Sequence, residues 1–420
     1  MTSPTGPVLV VGYTMAMQKA MDKFMPDGSC AFVDEPTVAR KRDAAAHVRE
    51  ARATTGVLEW EYQLPGAADG FANAHPDLAP AAVVPGVEYA VPFAARLAER
   101  YGLPGAGYGG AEVLRDKHLL REVSGHAGIR NPRSRPVTSP DEVRALLAEW
   151  GTVVLKPANR QAAVGTRVLS DPAAVDAAWA DCTDQDEGIY QPDREIPLRM
   201  LVEEYVRGEE YSVELMSAGG RRVFGNVTGK VLYPGDRPIE LGHTVPADVP
   251  AELTERLLAD TERVLAAVGF GAGFVHCEWI VDGTGEPCLV ECAGRMPGDG
   301  IVDLIEHAWD VKIVEAYLDL MQGRPVTGLP TTATRGGAVW FLHPGAGEVV
   351  DVTGVGEAEA APDVLAVSVV VHKGDRIGPL RSSWDRVALV EAGGPTVADA
   401  MRSAQQAMDL ISIEVTPDPA

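Results

Sequence analysis

The sequence predicts a mixed α/β protein in several parts, and three observations carry that expectation. Over residues 1–110 short apolar runs alternate with helical patterns, which implies a parallel sheet with crossover helices. The middle of the chain instead holds paired apolar runs joined by turn residues, the mark of antiparallel hairpins. Beyond Pro330 the chain is mostly short strand-like runs closed by one helical pattern.

In order, residues 7–12 (PVLVVG) form an apolar run ending in Gly, followed by a helical pattern over 15–25. Residues 30–33 make a second strand, strand patterns follow at 56–60 and 82–84, and a helix follows at 89–101. No Gly-x-Gly-x-x-Gly follows the first strand, so a bound dinucleotide is not supported. The Gly-rich stretch 102–110 is a loop and a domain boundary. Helices are expected at 111–125 and 141–150, the second with Ser139 as cap and acidic residues in its first turn. A hairpin pairs 152–156 with 165–169, a strand covers 201–206, and a second hairpin pairs 210–217 with 222–227. A long amphipathic helix at 250–268 leads to a third hairpin, 274–281 with 287–293, and to one helix over 302–321. Strands at 337–341, 364–371 and 387–391 and a helix at 396–411 complete the chain. The expected division is 1–110, 111–203, 204–329 and 330–420.

Bulk properties exclude several classes of function. A net charge of −23 argues against binding a nucleic-acid backbone or an anionic membrane surface, both of which need cationic patches. No apolar run reaches a membrane span, and the N-terminus lacks the basic start of a signal peptide. Five cysteines with no Cys-x-x-Cys pair read as reduced thiols, so the expected location is cytoplasmic.

The third hairpin carries the most chemistry. Centred on Thr284–Gly285, it sets Glu278 opposite Glu291, and facing Cβ atoms lie roughly 4.5–5.5 Å apart. Two carboxylates about 5 Å apart repel by about 3 kcal/mol at an effective dielectric near 20. With nothing local expected to offset that, a shared cation is the simplest remedy, and carboxylate oxygens suit Mg²⁺ in company with phosphates. The alternative is a slipped strand with one Glu in solvent. Next comes Cys-Ala-Gly-Arg295-Met-Pro-Gly298-Asp-Gly, a Gly-rich turn with a cation opening onto a helix N-terminus, which is an anion site in physical terms. Carboxylates followed by such a loop form a phosphoryl-transfer arrangement.

Lys156 ends an apolar strand and must reach an anion or water. Lys117, in a helical pattern, reads first as a solvated side chain. The segment 201–214 (LVEEYVRGEEYSVE) is a Gly-centred hinge between extended runs. Adenine needs one backbone acceptor and one donor, and ribose suits a carboxylate; Glu203, Val206 and Glu210 have that spacing, as does an ordinary acidic hairpin.

Lys117 in RDKHLLR, Lys156 in VVLKP, this hinge and the Glu278–Glu291 spacing occur in the order seen in ATP-grasp enzymes, and the resemblance spans roughly residues 85–325. It implies an ATP-grasp fold: an N-terminal parallel-sheet domain, a mobile central lobe and a C-terminal lobe carrying a β-rich subdomain. It also implies that Lys117 and Lys156 contact the ATP phosphates. Glu203 and Val206 then read adenine through the backbone, Glu210 holds ribose, and Glu278 and Glu291 hold Mg²⁺ or Mn²⁺. Many such enzymes carry Asn two residues after the second metal Glu, where this chain has Ala293. Glu240-Leu-Gly-His243 and the Arg295–Gly298 loop resemble the L-amino-acid ligases, dipeptide synthetases of the bacilysin-ligase type. That resemblance implies Glu240 as a third metal ligand or amine contact, His243 near the nucleophile, and Arg295 with Gly298 at the acyl phosphate. Amino-acid substrates and a homodimer are the expected partners. The segment His372-Lys-Gly-Asp-Arg376 in the β-rich end also resembles carboxylases and purine-pathway ATP-grasp enzymes. A non-catalytic ATP-binding module is the third reading.

Overall fold

The computed structural model describes residues 6–184 and 187–417. The first part is a four-stranded parallel sheet in the order Thr54–Glu59, Cys30–Asp34, Val8–Val11, Ala82–Pro85. Val8–Val11 is buried along its whole length because both faces are covered. Val8 and Val10 pack with Met17 and Met21 of the helix Met15–Phe24, whereas Leu9 and Val11 pack with Phe71, Phe93 and Leu97 on the other side.

The central part is an antiparallel sheet in the order Ser134–Val137, Met200–Glu204, Val153–Pro157, Arg167–Leu169. The largest sheet has eight strands, in the order Pro287–Ala293, Ala272–Asp282, Gly208–Ala218, Arg221–Leu232, Glu240–Val245, Gly336–Leu342, Ala388–Gly394, Val364–Val369. Gly336–Leu342 pairs with Glu240–Val245, so the β-rich end of the chain continues this sheet. Among the described residues of that end, the small sheet Arg376–Ile377, Gly347–Thr353, Ser412–Thr416 lies outside it.

Two predicted helices are each two. The pattern over 111–125 divides into Tyr108–Leu114 and Lys117–His126. Asp116 lies between them with φ −126° and ψ 108°, and its carboxylate accepts from the N–H groups of His118 and Leu119. Lys117 is therefore the first residue of a helix, not part of a helix interior. The pattern over 302–321 divides into Ile301–Trp309 and Ile313–Met321, because Asp310 adopts a left-handed conformation and ends the first helix.

The parts meet through specific contacts. Arg194 of the central part grips Glu35 of the first sheet with two bonds of 2.6 Å. Tyr190 stacks on Trp384 at 4.1 Å between centroids, and Ser383 N–H donates to Ala162 O.

Because Asp116 caps a helix and also pairs with Arg199 at 2.5 Å, Asp116→Ala is expected to lower unfolding free energy by about 1–2 kcal/mol. Asp116→Asn, which keeps the cap, should lose less. Denaturant unfolding of both variants measures the difference.

Candidate functional site

One cleft of about 930 Å³ runs between the three parts, and all eleven site residues singled out from the sequence line it. Its floor is the hairpin of Ala272–Asp282 and Pro287–Ala293. Counting back from the turn, Val281 faces Pro287, Ile280 faces Cys288 and Trp279 faces Leu289. The register then shifts by one residue, so that Glu278 faces Glu291. The facing pair follows from a bulge at Val290, not from the turn centre assumed above.

The expectation that nothing local offsets the carboxylate repulsion is overturned. Lys117 Nζ lies 2.8 Å from Glu291. Glu278 pairs with Lys230 and lies 3.3 Å from His276 Nε2. Lys230 comes from Arg221–Leu232, its side chain is 2% exposed, and it also lies 3.6 Å from Glu240. Its ammonium pKa is raised, the Glu278, Glu240 and Glu210 carboxylates outweighing burial. Burial pushes the Glu210 carboxyl up to about 7, with Glu278 and Glu240 adding to the effect and Lys230 opposing it. His276 is buried, which on its own disfavours its charged form, but Glu214 and Glu278 bring its pKa up to about 9. It faces Ala293, the position where the sequence departs from the ATP-grasp pattern.

Lys156 reaches an anion: its Nζ lies 2.7 Å from Glu203 Oε2, and Arg121 holds the other carboxylate oxygen at 2.9 Å. The Glu203 side chain is thus engaged within the protein, and its backbone lies in a strand paired with Ser134 on one side and Val154 on the other, so the adenine acceptor expected at its carbonyl falls inside the sheet. Strand pairing stops just beyond it, with Tyr205 N–H donating to Thr152 O. Among the described residues none accepts from the Val206 N–H. Lys117 is not solvated: its side chain is 14% exposed, and its Nζ also donates to Arg160 O at 2.8 Å.

At the far side of the floor, Arg295 Nε donates to Glu88 at 2.9 Å, and Glu88 also holds Arg115 at 3.2 Å. Gly298 O accepts from Ile301 N–H, and no side chain caps the helix Ile301–Trp309. His243 Nε2 lies 3.2 Å from Asp299, which Arg386 grips at 2.6 and 3.0 Å. Asp299 is held far below the usual carboxylate range, Arg386 and His243 outweighing its burial. Glu240 accepts from Ser383 Oγ at 2.7 Å, and its carbonyl accepts from Arg386.

Sequence reasoning missed Lys230, His276, Glu88, Asp299 and Arg386. Lys230 carries the same signal as Lys156, a cation in a buried strand. Glu88 and Arg386 carry none, since their partners lie 207 and 87 residues away.

Among the described residues no three acidic, His or Cys side chains form a ready metal cage. Two facing carboxylates suit a cation such as Mg²⁺, which completes its shell with phosphate oxygens and water. The donor set therefore fits Mg²⁺ arriving with a polyphosphate.

Residues 151–303 match the ATP-grasp domain family, and residues 339–416 match the L-amino acid ligase C-terminal domain 2 family. Alanine–anticapsin ligase from Bacillus subtilis is 25% identical over 54% of this chain, and the chain spans only about half of that relative, 51%. Formate-dependent phosphoribosylglycinamide formyltransferase from Synechococcus is 25% identical over 80% of this chain and 82% of its own length. The solved L-amino acid ligase from Bacillus licheniformis superposes with a TM-score of 0.81 at 16% identity, covering 99% of this chain and 100% of that one, a likeness of fold. The chain therefore holds an ATP-grasp domain match in its middle and an L-amino acid ligase C-terminal domain match at its end, in the order and overall fold of the solved L-amino acid ligase it is similar to.

Proposed function

We propose that the protein is an ATP- and Mg²⁺-dependent carboxylate–amine ligase that joins two amino acids through an acyl phosphate and releases ADP and phosphate. The observation that carries this reading is the facing Glu278–Glu291 pair, set among Lys117, Lys156, Lys230 and Arg295 on one cleft. Cations and carboxylates interleaved in this way balance a polyphosphate with its metal and stabilise charge that shifts during phosphoryl transfer. Mg²⁺, when bound, supplies Lewis-acid neutralisation of phosphate charge. Glu278 and Glu291 hold it, with Glu240 as the third oxygen donor. Lys117 and Lys156 take phosphate oxygens, the backbone just beyond Glu203, with the Val206 N–H, faces adenine, and Glu210 takes the ribose diol. Arg295, oriented by Glu88, and the Gly298 loop face the acyl phosphate, while His243 lies at the nucleophile. The tyrosine–tryptophan contact and the loop over 158–166 cover the cleft and keep water from a hydrolysable intermediate. The four-part division of the chain and a cytoplasmic, homodimeric protein belong to the same proposal.

The long alignment with the formyltransferase favours a second reading, a purine-pathway or carboxylase-type ligase. Phosphate release from ATP, measured over single and paired amino acids and over formate and bicarbonate, with mass spectrometry of products, separates the two. Release that needs formate or bicarbonate and ignores amino acids would sink the dipeptide reading. No release with any acceptor would leave an ATP-binding module.

Glu278→Gln or Glu291→Gln should abolish Mg²⁺-dependent turnover. Each should also lower the unfolding midpoint, because Lys230 or Lys117 loses its partner, at a cost of up to about 3 kcal/mol. Turnover within a few-fold of wild type in either variant would show that the pair shares no cation.

Lys156→Ala should raise KM for ATP strongly, while substitution of the exposed Lys41 should not. Glu210→Ala should weaken ATP more than an analogue lacking the ribose diol. Equal losses for both nucleotides would remove Glu210 from the ribose.

Arg295→Ala should lower kcat by about 100- to 1000-fold, the scale of one lost stabilising donor. Arg295→Lys should recover only part, since an ammonium lacks the planar fork. A change confined to KM for one amino acid would make Arg295 a carboxylate anchor instead.

A further inference from the structure

The cleft continues past Arg386 to an end that the proposed chemistry leaves unused, between the helix Met15–Phe24, the helix Ile301–Trp309 and the strand Ala388–Gly394. Glu391 sits there, in the middle of a strand paired on both sides, facing Val339 on one neighbour and Ala366 on the other. Alternate residues of this strand serve two faces. Ala388, Val390 and Ala392 pack into the core under the helix Val397–Met408. The opposite face carries Leu389, which packs against the cluster containing Leu304 and Val339, and then Glu391. By period, position 391 belongs to an apolar face.

Glu391 is 7% exposed, yet its carboxylate has no hydrogen bond and no ion pair among the described residues. Its carboxylate extends to the loop after Gly298: a Cβ added to Gly300 would lie 2.2 Å from Glu391 Oε1, and Gly300 has a φ of 74° that favours glycine. Asp303, one turn into the next helix, lines the same end of the cleft and also has no partner among the described residues. Glu306 is already neutralised by Lys23 at 2.9 Å, and Lys19 and Lys23 influence Asp303 only at a distance. Burial, reinforced by Asp303, pushes the Glu391 carboxyl up to about 8. A buried carboxylate without a partner destabilises a fold. The Glu278 carboxylate, on the same sheet, has Lys230 and His276 as partners, and the Glu391 carboxylate has none among the described residues.

We propose that Glu391, with Asp303, forms an anionic subsite that receives an organic ammonium group of an amino-acid substrate. The geometry supports this directly. The carboxylate lines the cleft, abuts the loop carrying Arg295 and Asp299, and is flanked by Leu389 and Val302, whose apolar surface suits the methylenes beside an ammonium. The ammonium has two sources, the α-amino group of either amino acid or a basic side chain. Only the identity of the ligand as a substrate rests on the ligase reading; the subsite itself does not.

The test is calorimetric titration of the full chain, without nucleotide, with L-lysine and with L-norleucine, which has the same chain without the terminal ammonium. Wild type and Glu391→Gln are compared. The variant is expected to bind at least one of the two about tenfold or more weakly, the scale of one charge-assisted hydrogen bond. Equal weakening for both amino acids assigns the subsite to the α-ammonium; weakening for lysine alone assigns it to the side chain. Unchanged affinities, or no saturable binding of either to wild type, overturn the proposal. Thermal unfolding guards against a folding artefact: Glu391→Gln should unfold at or above the wild-type midpoint, because it removes a carboxyl that burial disfavours in its ordinary ionised form. A clear fall in midpoint would mean that Glu391 holds the fold, and would also overturn the subsite. ADP release over the amino-acid matrix is scored separately, so its absence would remove the ligase reading while leaving the binding result standing.

Discussion

The Lys230 ammonium is the constraint on which the floor of the cleft depends. It is almost wholly buried, and Glu210, Glu240 and Glu278 act on it together. Without it, three carboxylates would share a poorly solvated surface and repel by several kcal/mol. With it, Glu278 is fixed on one side by Lys230 and on the other by His276, itself held by the fully buried Glu214. Strand pairing transmits this order: Lys230 faces His243, and His243 lies against Asp299, which Arg386 grips. One buried charge therefore ties the carboxylate pair to the loop that carries Arg295.

The ion pairs in the cleft also explain how the same groups can serve a ligand. Lys117 with Glu291, and Lys156 with Glu203, satisfy each other in the protein alone. A polyphosphate with its divalent cation presents both signs of charge at once, so lysines and carboxylates can exchange partners without any charge being left bare. A site of this kind avoids the large penalty of isolated buried ions in either state. Lys156 differs from Lys117 in that Arg121 shares its carboxylate, so Glu203 stays neutralised when Lys156 turns away.

Which features were legible in the sequence follows from how far apart their partners lie. The Glu278–Glu291 pair could be read because a short turn joins its strands, although its register rests on a bulge that turn residues do not announce. Lys156 could be read because a cation in an apolar strand needs an anion. Lys117 was misread as solvated because Asp116 was not recognised as a cap, and a capped first position points a side chain differently from a helix interior. The fold class and the parallel first sheet were legible from alternation of strands and helices. The continuation of the large sheet into the C-terminal segment was not, since pairing of Glu240–Val245 with Gly336–Leu342 joins strands nearly a hundred residues apart with no local signature. The anchors Glu88 and Arg386 escaped for the same reason.

Glu278 and Glu391 lie on one sheet and show two ways a fold can treat a buried carboxylate. The first is neutralised by side chains that the chain itself supplies, and its presence is compatible with a stable ligand-free protein. The second has apolar neighbours on its own strand face and no partner for its carboxylate among the described residues, so it costs stability that a methyl-bearing residue of similar size would not. Neither strand pairing nor packing requires a charge at position 391: its backbone is paired on both sides, and the face it occupies is otherwise hydrophobic. A destabilising group retained at the mouth of a cleft is the pattern expected where function and stability pull in opposite directions. In the ligand-free protein a carboxyl raised to about 8 sheds its charge by taking a proton, and on the proposed subsite an incoming ammonium supplies the balancing charge through the cleft instead.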